Sequence, residues 1–163
     1  MSRKSKPTIA LAGTINMPEA LYKAKFDAIG DQILNVNSVH VINHDFNDLK
    51  NCLINNEALL ALVSSKDIVY CIWQTNEIGK FEKVYIGQSN AKGARARIRN
   101  HLFKKTGNTK SKLENIKKAV SQKKQIGFTF IEVKPAFFRA AIEEYLIQKY
   151  SDSLPWNEVG KNK

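Results

Sequence analysis

The sequence predicts an α+β fold: a small three-stranded, mainly antiparallel sheet with flanking helices, preceded by a helical N-terminal extension. Two β-rich runs, 67–75 and 83–87, are separated by a short turn that contains a glycine, which is typical of a hairpin. A third β-rich run, 125–133, has to join this hairpin so that the sheet can bury one face. Helical patterns fill the remaining stretches, and the order from residue 67 is β-β-α-α-β-α.

The N-terminal extension, residues 1–66, carries helical patterns. Apolar residues recur at helical spacing over 18–34, which predicts one helix. The same spacing over 46–64 predicts a second helix or a pair of helices. The stretch between them is loop-like, although Val39 and Val41 could belong to a short strand. We expect the extension to supply dimer contacts or DNA contacts.

The α+β domain, residues 67–163, contains three further helical patterns. Residues 91–105 favour a helix, and 111–122 form a stronger one with an apolar stripe. Pro135 suits the first turn of the last helix, which we expect to run to about residue 150. The remaining tail is irregular.

The composition limits the classes of protein to consider. With 163 residues, 43% of them apolar, the chain can form a packed core. It contains no apolar run of about 18 residues, so we expect no membrane span. The cysteines, Cys52 and Cys71, lack the spacing of a zinc site or a disulfide framework. Free cysteines of this kind fit a reducing compartment, and we expect a cytoplasmic protein.

Positive charge is concentrated in one segment. Residues 92–124 hold 12 lysines and arginines and one acidic residue. The net charge of this segment, +11, equals the net charge of the whole chain. Such a segment favours a polyanion as partner, although a solvated lysine-rich surface is the alternative. The candidate nucleic-acid contacts are Arg95, Arg99, Lys104, Lys105, Lys117 and Lys118.

Several residue types suited to phosphodiester hydrolysis surround this segment. Arg97 and His101 are four residues apart, so they share a face of the predicted helix. The arginine fork can grip two phosphate oxygens, and the histidine can pass a proton or hold a water. Tyr70 and Tyr85 lie at the centres of the hairpin strands, where pairing can bring them together. The alternatives are a solvated helix face and two core tyrosines.

An acidic residue interrupts the apolar stripe of the last helix. Glu143 shares that stripe, and a divalent cation would explain a carboxylate there. It could instead pair with Arg139 or Lys149 at the edge of the stripe, and periodicity alone separates it poorly from Glu144. In the tail, Asn157 can both donate and accept hydrogen bonds, so it could tie the tail to the site.

These residues resemble the motifs of the GIY-YIG endonuclease family. Residues 68–70, Ile-Val-Tyr, and residues 85–87, Tyr-Ile-Gly, are similar to its two tyrosine motifs, although Ile68 stands where the family has glycine. Arg97 and His101 are similar to its arginine with a histidine or tyrosine one turn later. Matching Arg97 requires an insertion of two residues between Tyr85 and the arginine. Without that insertion, Arg95 would be the matching arginine. Gln88 occupies a position that is often lysine in the family.

The resemblance extends over residues 67–157 and includes the order of strands and helices. Glu143, followed by Ile147 and Tyr150, resembles the metal-binding glutamate helix, and this register selects Glu143 over Glu144. Trp156 and Asn157 resemble the end of that family's restriction enzymes.

The resemblance implies a metal-dependent DNA endonuclease. Its catalytic set would be Tyr70, Tyr85, Arg97, His101, Glu143 and Asn157. Glu143 would hold one Mg²⁺ or Mn²⁺ per active site, Arg97 would hold the phosphate, and the tyrosines with His101 would manage the proton.

The family resemblance also narrows the biological role. We expect a type II restriction-type enzyme of a prokaryote or phage, acting on double-stranded DNA as a homodimer or by paired action. The alternatives are a homing or structure-specific repair nuclease of the same fold and a non-catalytic nucleic-acid-binding module.

Overall fold

The computed structural model describes residues 12–107 and 110–158. Within these ranges, the chain forms six α-helices and four β-strands. The helices are α1 (Lys23–Ile33), α2 (Leu49–Asn55), α3 (Glu57–Val63), α4 (Ala94–Leu102), α5 (Leu113–Ser121) and α6 (Arg139–Lys149). The strands are β1 (His40–Ile42), β2 (Ile68–Thr75), β3 (Phe81–Ser89) and β4 (Ile126–Glu132).

The four strands form one antiparallel sheet in the order β1-β4-β2-β3. The α+β class is therefore confirmed, but the predicted count of three strands is wrong. The added strand is β1, which pairs with β4 through His40–Phe128, Val41–Gly127 and Ile42–Ile126. Strand β1 has three residues, and only Ile42 is buried. Such a strand gives no alternating pattern of apolar residues in the sequence.

The β2–β3 hairpin is closed by a turn that Asn76 organises. The Asn76 side-chain oxygen accepts hydrogen bonds from the backbone N–H groups of Ile78, at 3.1 Å, and Lys80, at 3.0 Å. Gly79 has φ of +77°, a left-handed conformation that favours glycine. The resulting register places Tyr70 opposite Gly87, which sets the geometry described below.

Strand β2 is buried on both faces. Its residues Ile68, Tyr70 and Ile72 face a core formed with α2, α3, α4 and α5, and its alternate residues face a second core formed with α1 and α6. Alternation of side chains along a strand explains this division. The sheet therefore separates α4 from α6, and residues of both helices can meet only at its rim.

The segment before residue 67 is packed on the rest of the chain. Helix α1 crosses α6 so closely that a Cβ added to Gly30 would lie 2.7 Å from Leu146 Cδ2. Helices α2 and α3 contribute Cys52 and Leu60 to the core beneath α4. The boundary at residue 66 stays a prediction.

Within the described ranges, no helix is long and apolar enough to cross a membrane.

Candidate active site

The two tyrosines lie side by side on one face of the hairpin. The ring centroids of Tyr70 and Tyr85 are 6.2 Å apart. Gly87 leaves the space that both rings occupy, because a Cβ at this position would lie 2.6 Å from Tyr70 Oη and 2.8 Å from Tyr85 Cε1. The glycine of the Tyr-Ile-Gly run is therefore required by close approach of side chains.

Helix α4 brings Arg97 and His101 to these tyrosines. Arg97 Nε donates a hydrogen bond to Tyr70 Oη at 3.1 Å. The His101 ring centroid lies 5.9 Å from that of Tyr70 and 5.4 Å from that of Tyr85. Arg95 points elsewhere and forms an ion pair of 2.8 Å with Glu57 of α3. Arg97 is thus the arginine beside the tyrosines.

His101 is a buried, neutral hydrogen-bond donor. Its Nδ1 accepts a hydrogen bond of 3.0 Å from the Lys112 backbone N–H, so the ring proton lies on Nε2. Burial lowers the pKa of His101 to about 3, and the nearby charges of Arg97 and Lys112 act in the same direction. The buried Nε2 has no hydrogen-bond partner among the described residues. His101 can therefore donate at Nε2 but cannot accept a proton there.

Burial also determines the direction in which the pKa values of the two tyrosines shift. It raises the pKa of Tyr70 far above its usual value, and Arg97 opposes this shift. Burial raises the pKa of Tyr85 as well, again against the influence of Arg97. Both tyrosines are therefore protonated at neutral pH in this state of the site, and their hydroxyl groups can donate hydrogen bonds.

Glu143 reaches the same place from the other side of the sheet. Although α6 packs on the face opposite α4, the Glu143 carboxylate interacts electrostatically with Arg97, Tyr70 and Tyr85. Burial raises the pKa of Glu143, while Arg97 and the Gln88 backbone N–H oppose the shift. The carboxylate therefore belongs to the rim of the sheet, where the tyrosines and Arg97 lie.

The alternative partners of Glu143 are engaged elsewhere. Lys149 pairs with Asp27 of α1 at 2.6 Å. Arg139 binds the side chains of Asp67 and Gln88. Glu144 is exposed and accepts a hydrogen bond of 3.0 Å from Gln148. The structure thus shows that Glu143 and Glu144 have different environments, a distinction that the periodicity of the sequence did not give.

The Arg139 network is part of the site, and the sequence reasoning missed it. Arg139 joins the start of α6 to the Gln88 side chain and to Asp67, which precedes β2. Asp67 Oδ1 also accepts a hydrogen bond of 3.2 Å from the backbone N–H of Ala91. These bonds fix the rim next to Glu143. The sequence signal was weak, because the partners are 24 to 72 residues apart.

Lys112 is a second residue that the sequence reasoning did not single out. Its ammonium lies 5.2 Å from the centroid of the Tyr85 ring, and its side chain is 12% exposed. Its backbone N–H fixes the ring of His101. Only its membership of the basic segment hinted at a role.

Asn157 acts on the backbone of β3. Its side-chain oxygen accepts a hydrogen bond of 2.9 Å from the Ile86 N–H, and its side-chain nitrogen donates one of 2.8 Å to the Ile86 carbonyl. The backbone N–H of Trp156 donates to the Val84 carbonyl at 3.0 Å. Asn157 thus positions the strand that carries Tyr85.

The candidate nucleic-acid contacts fall into two groups. Lys104, Lys105, Lys117 and Lys118 are exposed. By contrast, Arg95 is bound to Glu57, and the Nε of Arg99 is buried. Lys117 lies 3.7 Å from Glu114 of the same helix, so Lys104, Lys105 and Lys118 are the most accessible of these candidates to a polyanion.

A recess of about 150 Å³ opens beside the site. It is lined by Arg97, Asn100, His101, Lys110 and Ser111. A larger groove of about 530 Å³ lies over α1, α3 and β4, away from these residues. The smaller recess is the one that Arg97 and His101 border.

The side chains at this site could bind a divalent cation only together with oxygen ligands from a substrate and from water. Among residues 12–107 and 110–158, no group of three or more histidine, cysteine or acidic side chains could hold a metal ion. Glu143 alone offers a half-buried carboxylate beside Arg97. Mg²⁺ in phosphate sites is typically held by one or two carboxylates together with phosphate oxygens and water. A single carboxylate satisfies that pattern.

Comparisons with protein-family models, curated proteins and solved structures found no match for this chain.

Proposed function

We propose that this protein is a metal-dependent DNA endonuclease of the GIY-YIG type. The observation that supports it is the convergence of Tyr70, Tyr85, Arg97 and Glu143 at one rim of the sheet. These residues come from two strands and from helices on opposite faces, so their meeting is not a consequence of local sequence. A core tyrosine pair and a solvated arginine would not require a carboxylate from the other face.

The proposed mechanism assigns each side chain a task in hydrolysis. Arg97 is exposed apart from its bond to Tyr70, so its remaining N–H groups are free to bind phosphate oxygens and stabilise the charge of the transition state. His101 donates from Nε2 to an oxygen of the phosphate or of a water. The hydroxyl groups of Tyr70 and Tyr85 orient the attacking water between Arg97 and Glu143.

Glu143 would hold the divalent cation, which supplies positive charge at the phosphate and makes a bound water more acidic. A tyrosine would take up the water proton only after its own phenolic proton had passed to solvent, and the positive field of Arg97 would favour that ionised form against the effect of burial. Tyr70 is already oriented for this role by its bond from Arg97.

We further propose double-stranded DNA as substrate and a restriction-type role. The basic segment around α4 and α5 supplies exposed lysines next to the site, as a polyanion requires. The tail from Leu154 to Asn157, which resembles the end of the family's restriction enzymes, is bonded to β3. Cutting both strands with one site per chain would require a dimer or two successive binding events.

The test is cleavage of supercoiled plasmid with Mg²⁺ or Mn²⁺. We expect conversion to nicked and linear DNA, and no conversion with excess chelator. Fragments of discrete size with ends at one short palindrome would support the restriction role. Cleavage confined to flaps or junctions would favour a repair nuclease instead. DNA binding without any cleavage would leave only a non-catalytic binding module.

A further inference from the structure

Two phenylalanines are exposed at the start of α6. Phe137 is 76% exposed and Phe138 is 44% exposed, and their ring centroids are 4.7 Å apart. No other large apolar side chain between residues 126 and 158 is comparably exposed. Exposed apolar side chains gathered in one place often mark an interaction site.

The phenylalanine pair lies next to the candidate active site. Arg139, the following residue, is bound to Gln88 and Asp67, so the backbone that carries the pair is held at the rim of the sheet. Gln88 links this segment to Glu143, because its side chain accepts a hydrogen bond from Arg139 and its backbone N–H acts on the Glu143 carboxylate. The pair is therefore carried by the same rim of the sheet as Glu143.

The size of the pair favours a small, flat ligand group. Two phenylalanine side chains offer together about 300–500 Å² of surface even if fully buried. A stable protein interface needs about 800 Å² from each partner. A nucleobase presents a π-face that matches a phenylalanine ring, whichever base it is.

We propose that Phe137 and Phe138 stack against a nucleobase of the bound DNA, close to the phosphate to be cut. This inference rests on the proposed function, because it takes DNA as the ligand and Glu143 as the marker of the reacting phosphate. Stacking would hold the strand in position for Arg97 and would favour DNA that is unstacked or deformed at this step.

The test uses a tryptophan as reporter in the full chain. Tryptophan fluorescence is measured for Phe137→Trp during titration with a short oligothymidylate, while anisotropy of a dye on the oligonucleotide reports binding. We expect strong quenching on binding. The matched control is Ile78→Trp, since Ile78 is 75% exposed but lies at the opposite end of the hairpin. Because Trp73 and Trp156 also fluoresce, both variants are compared with the wild type, and Ile78→Trp should show no quenching beyond that of the wild type.

Affinity gives the second readout. Phe137→Ala/Phe138→Ala should bind oligothymidylate about tenfold or more weakly, since each stacked base contributes substantially to binding. Ile78→Ala should bind like the wild type. Unchanged fluorescence of Phe137→Trp in the bound state would overturn the inference. So would an unchanged affinity of the double variant together with a shift in its sedimentation, which would assign the pair to a protein interface.

The inference and the proposed function can fail separately. Plasmid cleavage without quenching contradicts the stacking role and leaves the nuclease assignment intact. Quenching without plasmid cleavage under any divalent cation contradicts the nuclease assignment and leaves the stacking role intact.

Discussion

At the scale of single residues, the candidate site depends on side chains whose environments differ sharply. Arg97 is open to solvent, while Tyr70 and His101 are almost completely buried. Glu143 lies between these extremes. A charged group at the mouth and neutral groups at the base suit a site that takes a phosphate from solution and excludes water below it.

Removal of Glu143 or of Arg97 should abolish cutting without abolishing DNA binding. We expect Glu143→Ala and Arg97→Ala each to reduce plasmid cleavage by at least about 100-fold, because the first removes the carboxylate that would hold the cation and the second removes the positive charge that would stabilise the phosphate. Anisotropy with labelled DNA should show that both variants still bind, since the exposed lysines remain.

Glu144→Ala is the matched control for this experiment. The exposed Glu144 carboxylate is bound to Gln148 on the same helix, so this variant should cut at close to the wild-type rate. Equal loss in Glu143→Ala and Glu144→Ala would remove the role that we assign to Glu143.

His101 should make stability depend on pH. Its pKa is about 3 in the folded state and about 6.5 in an unfolded chain, so only the unfolded chain takes up the proton between these values. Stability is therefore complete above pH 6.5 and decreases as the pH falls toward 3. Between pH 7 and pH 5 the contribution of His101 should fall by roughly 2 kcal/mol.

Urea unfolding of the wild type and of His101→Gln at both pH values measures this difference. The variant should lose less stability on acidification, whatever its stability at pH 7. His44, whose pKa burial also lowers, is present in both proteins and therefore cancels. An equal loss of stability between pH 7 and pH 5 in both proteins would contradict the buried, neutral state of His101.

At the scale of elements, the β4–β1 contact depends on a glycine. A Cβ added to Gly127 would lie 2.2 Å from Val39 Cγ1 and 3.1 Å from Phe81 Cε1. We expect Gly127→Ala to destabilise the protein by about 1–3 kcal/mol through overpacking.

A double variant locates that clash. Val39→Ala removes the closest atom, so it should restore part of the stability lost in Gly127→Ala, whereas Val36→Ala, an exposed position nearby, should not. Urea unfolding of the single and double variants gives the coupling free energy between the two positions. Additive losses would show that Val39 is not the source of the strain.

The same elements show what sequence can and cannot predict. The hairpin and α4 were predictable because their signals are local: alternating β-rich runs around Gly79, and a four-residue spacing that puts Arg97 and His101 on one face. Strand β1 was considered only as a possible short strand around Val41 and was left out of the predicted sheet, because it is stabilised by β4, more than 80 residues away. The proton position on His101 depends on the Lys112 backbone, and nothing in the sequence shows that contact.

At the scale of the whole molecule, charge is distributed unevenly around the sheet. The exposed lysines of the basic segment lie on and after α4, the helix that carries Arg97. On the opposite face, Asp27 of α1 pairs with Lys23 of the same helix and with Lys149 of α6. The exposed lysines of the basic segment are thus gathered on one side of the sheet.

The salt dependence of DNA binding should report this asymmetry. Each phosphate contact that is lost lowers the slope of log affinity against log salt by about 0.9. Lys104→Ala/Lys105→Ala should therefore reduce the slope by about 2, measured by anisotropy over a range of salt concentrations. Lys25→Ala, which removes an exposed lysine on α1, should leave it unchanged. Equal effects would indicate that binding has no preferred side.

The closure of the tail on β3 has a consequence for behaviour in concentrated solution. An edge strand with unpaired backbone groups is a template for pairing with another chain, which leads to aggregation. The backbone groups of Val84 and Ile86 are already occupied by Trp156 and Asn157. Two residues of the tail thus cover the middle of the outer strand, and loss of Asn157 would promote self-association through the strand that bears Tyr85.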